Sequence, residues 1–114
     1  MESIVLDDLK AIALDPNLSW EPFRPGVDIH RLYPAEPDGA AAALLRYQPG
    51  ATVPYHLHTG FEHILVLSGS QSDENGTYPA GSLMINPPGT RHTVHSPDGC
   101  VVLAIWARPV HIEP

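Results

Sequence analysis

Cysteine is nearly absent: Cys100 stands alone among 114 residues. One thiol allows no internal disulfide and no cysteine-based zinc site, and it suits a reducing cytoplasm. Cationic charge is scarce as well. Six Lys and Arg residues face thirteen Asp and Glu, a formal net charge of −7, and the six are spread from Lys10 to Arg108 without a cluster. Phosphate backbones and anionic membranes need a positive face, so neither nucleic acid nor a lipid surface is expected as a partner. Long apolar runs are missing. None approaches the ~20 residues of a spanning helix, and Met1-Glu2-Ser3 has no basic segment, so no membrane helix or signal peptide is expected.

Proline and glycine are plentiful, at thirteen and nine residues. They are scattered as punctuation between apolar runs, which reads as a turn-rich all-β domain rather than a low-complexity tail. The length fits one domain. A chain of this size buries roughly two-thirds of its unfolded surface, enough for one core.

Residues 1–25 read as an N-terminal extension and residues 26–114 as a single barrel domain. Asp7 to Leu14 admits one short helix, which Pro16 stops. Trp20 to Gly26 reads as an extended lead-in. Val27 to Tyr33 alternates apolar with polar, as a half-buried strand does. Ala40 to Gln48 favours helix by propensity, but its neighbours read as strands and Pro49-Gly50 closes it, so a strand is expected. Ile64 to Leu67 is a buried strand ending at Gly69. Asn75-Gly76 is a strong hairpin dipeptide, with positive φ expected at both positions. Leu83 to Ile85, Thr93-Val94 and Val101 to Ala107 complete the set. The fold class is all-β: a small antiparallel β-barrel of the jelly-roll kind.

His56-Leu57-His58 is the centre of the functional reading. Residues i and i+2 of a strand share a face and sit about 6.5 Å apart, so two imidazoles can meet one ion. Glu62 follows after Thr59-Gly60-Phe61, a segment suited to a tight bend that lets the next strand start with Glu62 facing back. His92 follows the turn Pro87-Pro88-Gly89. Three imidazoles and a carboxylate form a mixed set suited to one divalent ion, Fe, Mn, Zn or Ni. A His-x-His pair alone is more often a surface pair than a ligand pair. The surrounding framework raises the odds: Gly50 to Gly69 reads Gly-x5-His-x-His-x3-Glu-x6-Gly, and Gly81 to His92 reads Gly-x5-Pro-x-Gly-x2-His.

These two strings resemble both motifs of the cupin superfamily. The resemblance runs from about Gly26 to Pro109 and implies a metal-binding barrel with His56, His58, Glu62 and His92 as ligands. One departure is Ser96, where the second motif usually closes with Asn. The stretch Gly69 to Ser82, with Asn86-Pro87-Pro88-Gly89-Thr90-Arg91-His92, is similar to the cupin domain of ChrR-type anti-sigma factors, whose free-standing relatives include acetylacetone-dioxygenase-like proteins. The ChrR type captures its sigma factor with a separate N-terminal zinc domain. Residues 1–25 hold no Cys/His cluster, so sigma-factor capture is not carried over. At the family level a homodimer is expected. A weaker sequence motive is that the apolar strand Val101 to Ala107 would leave edges in need of cover.

Tyr47, Tyr55, Phe61, Met84, Arg91 and Trp106 are candidates for the pocket lining, with core packing or surface charge as the plain alternative. Strand alternation turns His63 and His95 away from the ligands. His30 and His111 read as surface residues, and Cys100 as a buried, inert thiol. Three functions remain open: a metal-dependent dioxygenase or related oxidoreductase acting on a small dicarbonyl or phenolic compound, a non-catalytic metal-bound sensor or binding domain, and a metal-dependent isomerase or lyase.

Overall fold

A computed structural model describes residues 2–113. It contains one helix, α1 (Leu9–Ala13), and ten strands: β1 (Glu21–Arg24), β2 (Val27–Arg31), β3 (Ala41–Tyr47), β4 (Ala51–His58), β5 (Glu62–Asp73), β6 (Gly76–Pro79), β7 (Leu83–Asn86), β8 (Arg91–Ser96), β9 (Cys100–Trp106) and β10 (Val110–Ile112). All pairings are antiparallel, in the order β1-β2-β3-β9-β5-β8-β4-β10, with β6 and β7 also on β5. The curled sheet is the expected jelly roll.

The long strand β5 makes the corner. Its first half, Glu62 to Gly69, pairs with β9, and its last residues, Ser70 to Asp73, pair with β6. A register shift between Val66 and Ser68 marks the bend, which is how one strand serves two sheets. The strand therefore runs through Gly69 instead of ending there. Gly69 is the hinge of the bend: its φ is +71°, and a Cβ would sit 2.1 Å from the Gly99 carbonyl oxygen.

Two apolar clusters flank the sheet. The interior one holds Val27, Ile29, Leu45, Tyr47, Val53, Ile64, Val66, Val94 and Val102. The outer one holds Leu44, Leu67 and Val101, covered by Ala13, Leu9, Leu18 and Trp20 of the first twenty residues. The alanine-rich segment is a strand because both of its faces are buried. Tertiary burial overrides helix propensity there.

The extended lead-in includes a strand, β1, hydrogen-bonded to β2. Two further expectations change. The β5–β6 turn consists of Glu74-Asn75, with Asp73 opposite Gly76. Among the described non-glycine residues only Asp8 has positive φ, so Asn75 does not; its N–H instead donates to the Asp73 side chain at 2.8 Å. Finally, β9 lies between β3 and β5. Both of its edges are paired, so this strand supplies no edge for a second copy to cover.

Candidate metal centre

His56 and His58 stand on β4, and Glu62 opens β5 after the bend at Thr59-Gly60-Phe61. His92 stands on β8 directly opposite His56. Sheet closure brings the four together: one potential ligand atom from each lies within 4.8 Å of the others. The imidazole centroids are 4.6 to 5.1 Å apart. All four residues are buried, His58 to 1% exposure.

Every imidazole is held by its Nδ1. His56 Nδ1 is 2.8 Å from the Pro54 carbonyl. His58 Nδ1 is 2.9 Å from Thr90 Oγ1 and 3.1 Å from the Thr90 carbonyl. The Thr90 hydroxyl donates to the Pro87 carbonyl at 2.6 Å, so its oxygen accepts from His58. His92 Nδ1 donates to Asp73 Oδ2 at 3.0 Å. These partners are acceptors, so each Nδ1 carries the hydrogen and each Nε2 keeps a bare lone pair.

Nε2 of His58 and Nε2 of His92 are buried without a hydrogen-bond partner. His58 Nε2 also lies 3.1 Å from Glu62 Oε1 and, with the hydrogen on Nδ1, has none to donate. Two lone pairs that close repel, and each unsatisfied buried polar group costs about 1–3 kcal/mol. A cation among these atoms reverses the sign of both effects. The residues therefore fit a divalent metal ion, with an N3O donor set.

Glu62 is gripped from two sides. Trp106, its direct partner on β9, donates from Nε1 to Oε2 at 2.6 Å, and Asn86 on β7 donates to Oε1 at 3.1 Å. Burial pushes the Glu62 carboxyl up, but the attraction of His58 in its protonated form, the Trp106 N–H and His56 outweigh it and hold the group below its ordinary 4.5. Burial likewise holds His56 below its ordinary 6.5, against the pull of the Pro54 carbonyl. Both shifts favour the forms that ligate.

A cavity of about 310 Å³ adjoins the cluster. Tyr47 and Trp106 line it, with His56, Glu62, His92 and the apolar Leu45, Val53, Ile64 and Val94. The other proposed lining residues lie elsewhere. Tyr55 and Phe61 are surface residues, 44% and 47% exposed. Met84 packs against the interior cluster without reaching the cavity. Arg91 is exposed and paired with Glu113. Strand period names a face only while the register is regular, and β4 is irregular between Val53 and His56, around Tyr55.

Sequence reasoning gave no role to Asp73, Asn86 or Thr90, which hold the ligands from other strands and turns. No local pattern announces them; their partners are 19, 24 and 32 residues away. Ser96 is fully buried and donates to the Ser70 carbonyl at 2.6 Å, tying β8 to β5. His63 stacks on Phe61 away from the cluster, and His95 and His111 are exposed. His30 is half-buried, its Nδ1 2.8 Å from the Ser19 carbonyl. Cys100 is buried, and burial pushes its thiol up.

An antiparallel jelly roll whose interior gathers three histidines and a glutamate defines a cupin. The chain belongs to the ChrR cupin-like domain family, whose description matches residues 10–111. No curated protein sequence gives a match. Among solved structures it is similar to the anti-sigma factor ChrR of Rhodobacter sphaeroides, seen in complex with SigE. That match has 30% identity and a TM-score of 0.74, and covers 89% of this chain and 60% of that one. A cupin-like protein of unknown function from Ralstonia eutropha is 26% identical, with a TM-score of 0.66, over 71% of this chain and 54% of that one. The chain thus spans little more than half the length of either. The acetylacetone dioxygenase of Acinetobacter johnsonii shares the fold at 16% identity and a TM-score of 0.78, over 100% of this chain and 78% of that one. Among the described residues no helix is long and apolar enough to cross a membrane.

Proposed function

We propose that this chain binds one divalent metal ion through His56, His58, Glu62 and His92 and presents it to a small organic ligand in the adjoining cavity. The carrying observation is the pair of buried, partnerless Nε2 atoms on His58 and His92, one of them lone pair to lone pair with Glu62. The metal would supply Lewis acidity and, for iron, redox chemistry to a ligand bound through oxygen. The chain's own residues orient and line the site. Trp106 and Asn86 fix the carboxylate, and Leu45, Ile64 and Val94 make the wall beside it apolar. Burial pushes the Tyr47 phenol far above its ordinary value, so its hydroxyl stays protonated beside the ligand.

The finer reading is a dioxygenase or related oxidoreductase acting on a small dicarbonyl or phenolic compound. Four protein ligands leave up to two positions of an octahedral ion for such a chelator. A ligand-binding sensor is the second reading. It draws support from the likeness to ChrR and from the cavity lining, where the polar side chains beyond the ligands are Arg24, Arg31, Tyr47, Gln71 and Trp106. None of these is a carboxylate or an imidazole. A cytoplasmic location accords with the lone, buried Cys100.

Elemental analysis tests the metal. About one ion per chain is expected in the wild type, and much less in His56→Ala and Glu62→Ala; unchanged content in both variants removes the assignment. Oxygen uptake by the iron-loaded protein with a 1,3-dicarbonyl or catechol supports the oxidoreductase. Tight binding without consumption supports the sensor, and oxygen-independent turnover an isomerase or lyase.

A further inference from the structure

The cavity wall carries charge that the metal reading does not use. Arg24 and Arg31 both line it. Strand register explains how the half-buried Arg24 and the exposed Arg31 come to border it. Val27 and Ile29 of β2 belong to the interior cluster, and Arg31 is the next residue of the same row. Arg24 on β1 is the direct partner of Val27, and directly paired residues share a face of the sheet. The register shift between Pro22 and Arg24 lets Phe23 and Arg24 both reach the cavity wall, a common use of a bulge. The Arg24 guanidinium lies 5.2 Å from the Phe23 ring centroid.

Neither arginine is ion-paired among the described residues, whereas Arg46 pairs with Asp28 and Arg91 with Glu113. Glu62, at the metal end, is the single carboxylate in the lining. Arg24 is close enough to Tyr47 to pull its pKa down, against the larger push of burial, Cys100 and Glu62. In a chain of net charge −7, two cations without an ion-pair partner border one cavity.

We propose that the cavity takes an organic anion, with a chelating oxygen pair at the metal, an apolar body against Leu45 and Ile64, and a carboxylate received by Arg24 and Arg31. The chelating part rests on the metal reading above; the anion subsite stands on the two arginines alone. Guanidinium–carboxylate contacts are charge-assisted and directional, so they select among otherwise similar chelators.

The test compares 4-methylcatechol with 3,4-dihydroxyphenylacetate, which differ by the carboxylate, on zinc-loaded protein by calorimetry. The carboxylated compound is expected to bind about tenfold tighter. In Arg24→Gln/Arg31→Gln that ratio falls to about one, and in the double lysine variant part of it returns. Each single glutamine variant is expected to lose about half of the advantage on a logarithmic scale, so the test survives poor folding of the double variant. Metal-free protein is titrated in parallel with phenylacetate, observed at the Trp106 indole N–H by NMR. A shift that depends on the arginines supports the anion subsite even if zinc is not retained, an outcome that overturns only the metal reading. An equal ratio in wild type and variants, no preference in the wild type, or no binding of either probe overturns the proposal.

Discussion

Asp73 accepts a hydrogen bond from His92 Nδ1 at 3.0 Å, so a carboxylate orients this imidazole where carbonyl and hydroxyl oxygens orient the other two. The carboxylate is itself pinned: Oδ1 accepts from the Asn75 N–H at 2.8 Å and the Tyr78 hydroxyl at 3.0 Å. The hairpin turn after β5 thereby reaches across to β8. An anionic partner makes a neutral imidazole a better donor to a metal and fixes its tautomer.

Asp73→Asn is expected to weaken metal affinity about 10- to 100-fold while the fold persists. A competitive chelator titration measures this. Unchanged affinity would reduce Asp73 to a turn residue.

Trp106→Phe removes the indole N–H that lies 2.6 Å from Glu62 Oε2. The ring volume is largely kept, so the loss is mainly one hydrogen bond to a buried carboxylate, about 1.5–3 kcal/mol. Urea unfolding of the metal-free protein should show it. A loss no larger than that of a surface substitution would mean that Glu62 is held without Trp106.

Metal-free protein should lose stability as pH falls. The folded-state pKa of His56 is lowered, so the native state resists its protonation, and this contribution is complete above the ordinary 6.5 and lost as pH drops through the lower folded value. Glu62 and Asp73 are also lowered, and their contributions fade below the ordinary 4.5 and 3.8. The expected profile declines first from about pH 6.5 and again in the carboxylate range. His56→Gln should flatten the first limb in thermal melts across pH; an undiminished limb would assign it to another group.

Gly69→Ala and Gly81→Ala separate steric cost from backbone cost. Both glycines have positive φ, +71° and +93°, but a Cβ at Gly69 meets the Gly99 carbonyl at 2.1 Å, while one at Gly81 meets nothing within 4 Å. Gly81→Ala should cost about 1–2 kcal/mol, and Gly69→Ala clearly more, because the bend must open. Equal costs in chemical denaturation would show that the close approach of β5 and the Gly99 turn is not a constraint.

Much of the site was legible because the information was local. His56 and His58 share a face by the period of a strand, and Glu62 opens the next strand because Gly60 and its neighbours form a bend. The second strand string, Gly81 to His92, carried its own turn. The pocket list failed where register slips: Tyr55 lies in an irregular stretch of β4, and period alone does not point it. β10 escaped notice because three residues after Pro109 are too few to show a pattern.

The fold class, the spacing of the candidate ligands along the strands, and the scarcity of cations and thiols are all legible in chain order. Alternation and turn residues act over a few positions, and those can be read in order along the chain. Strand pairing, invisible along the chain, makes β9 central rather than an edge, brings Asp73, Asn86, Thr90 and Trp106 onto the cluster, and sets Arg24 and Arg31 at the border of the cavity. Each depends on which strands become neighbours and where a bulge shifts their register, and that choice follows from burying both apolar clusters at once.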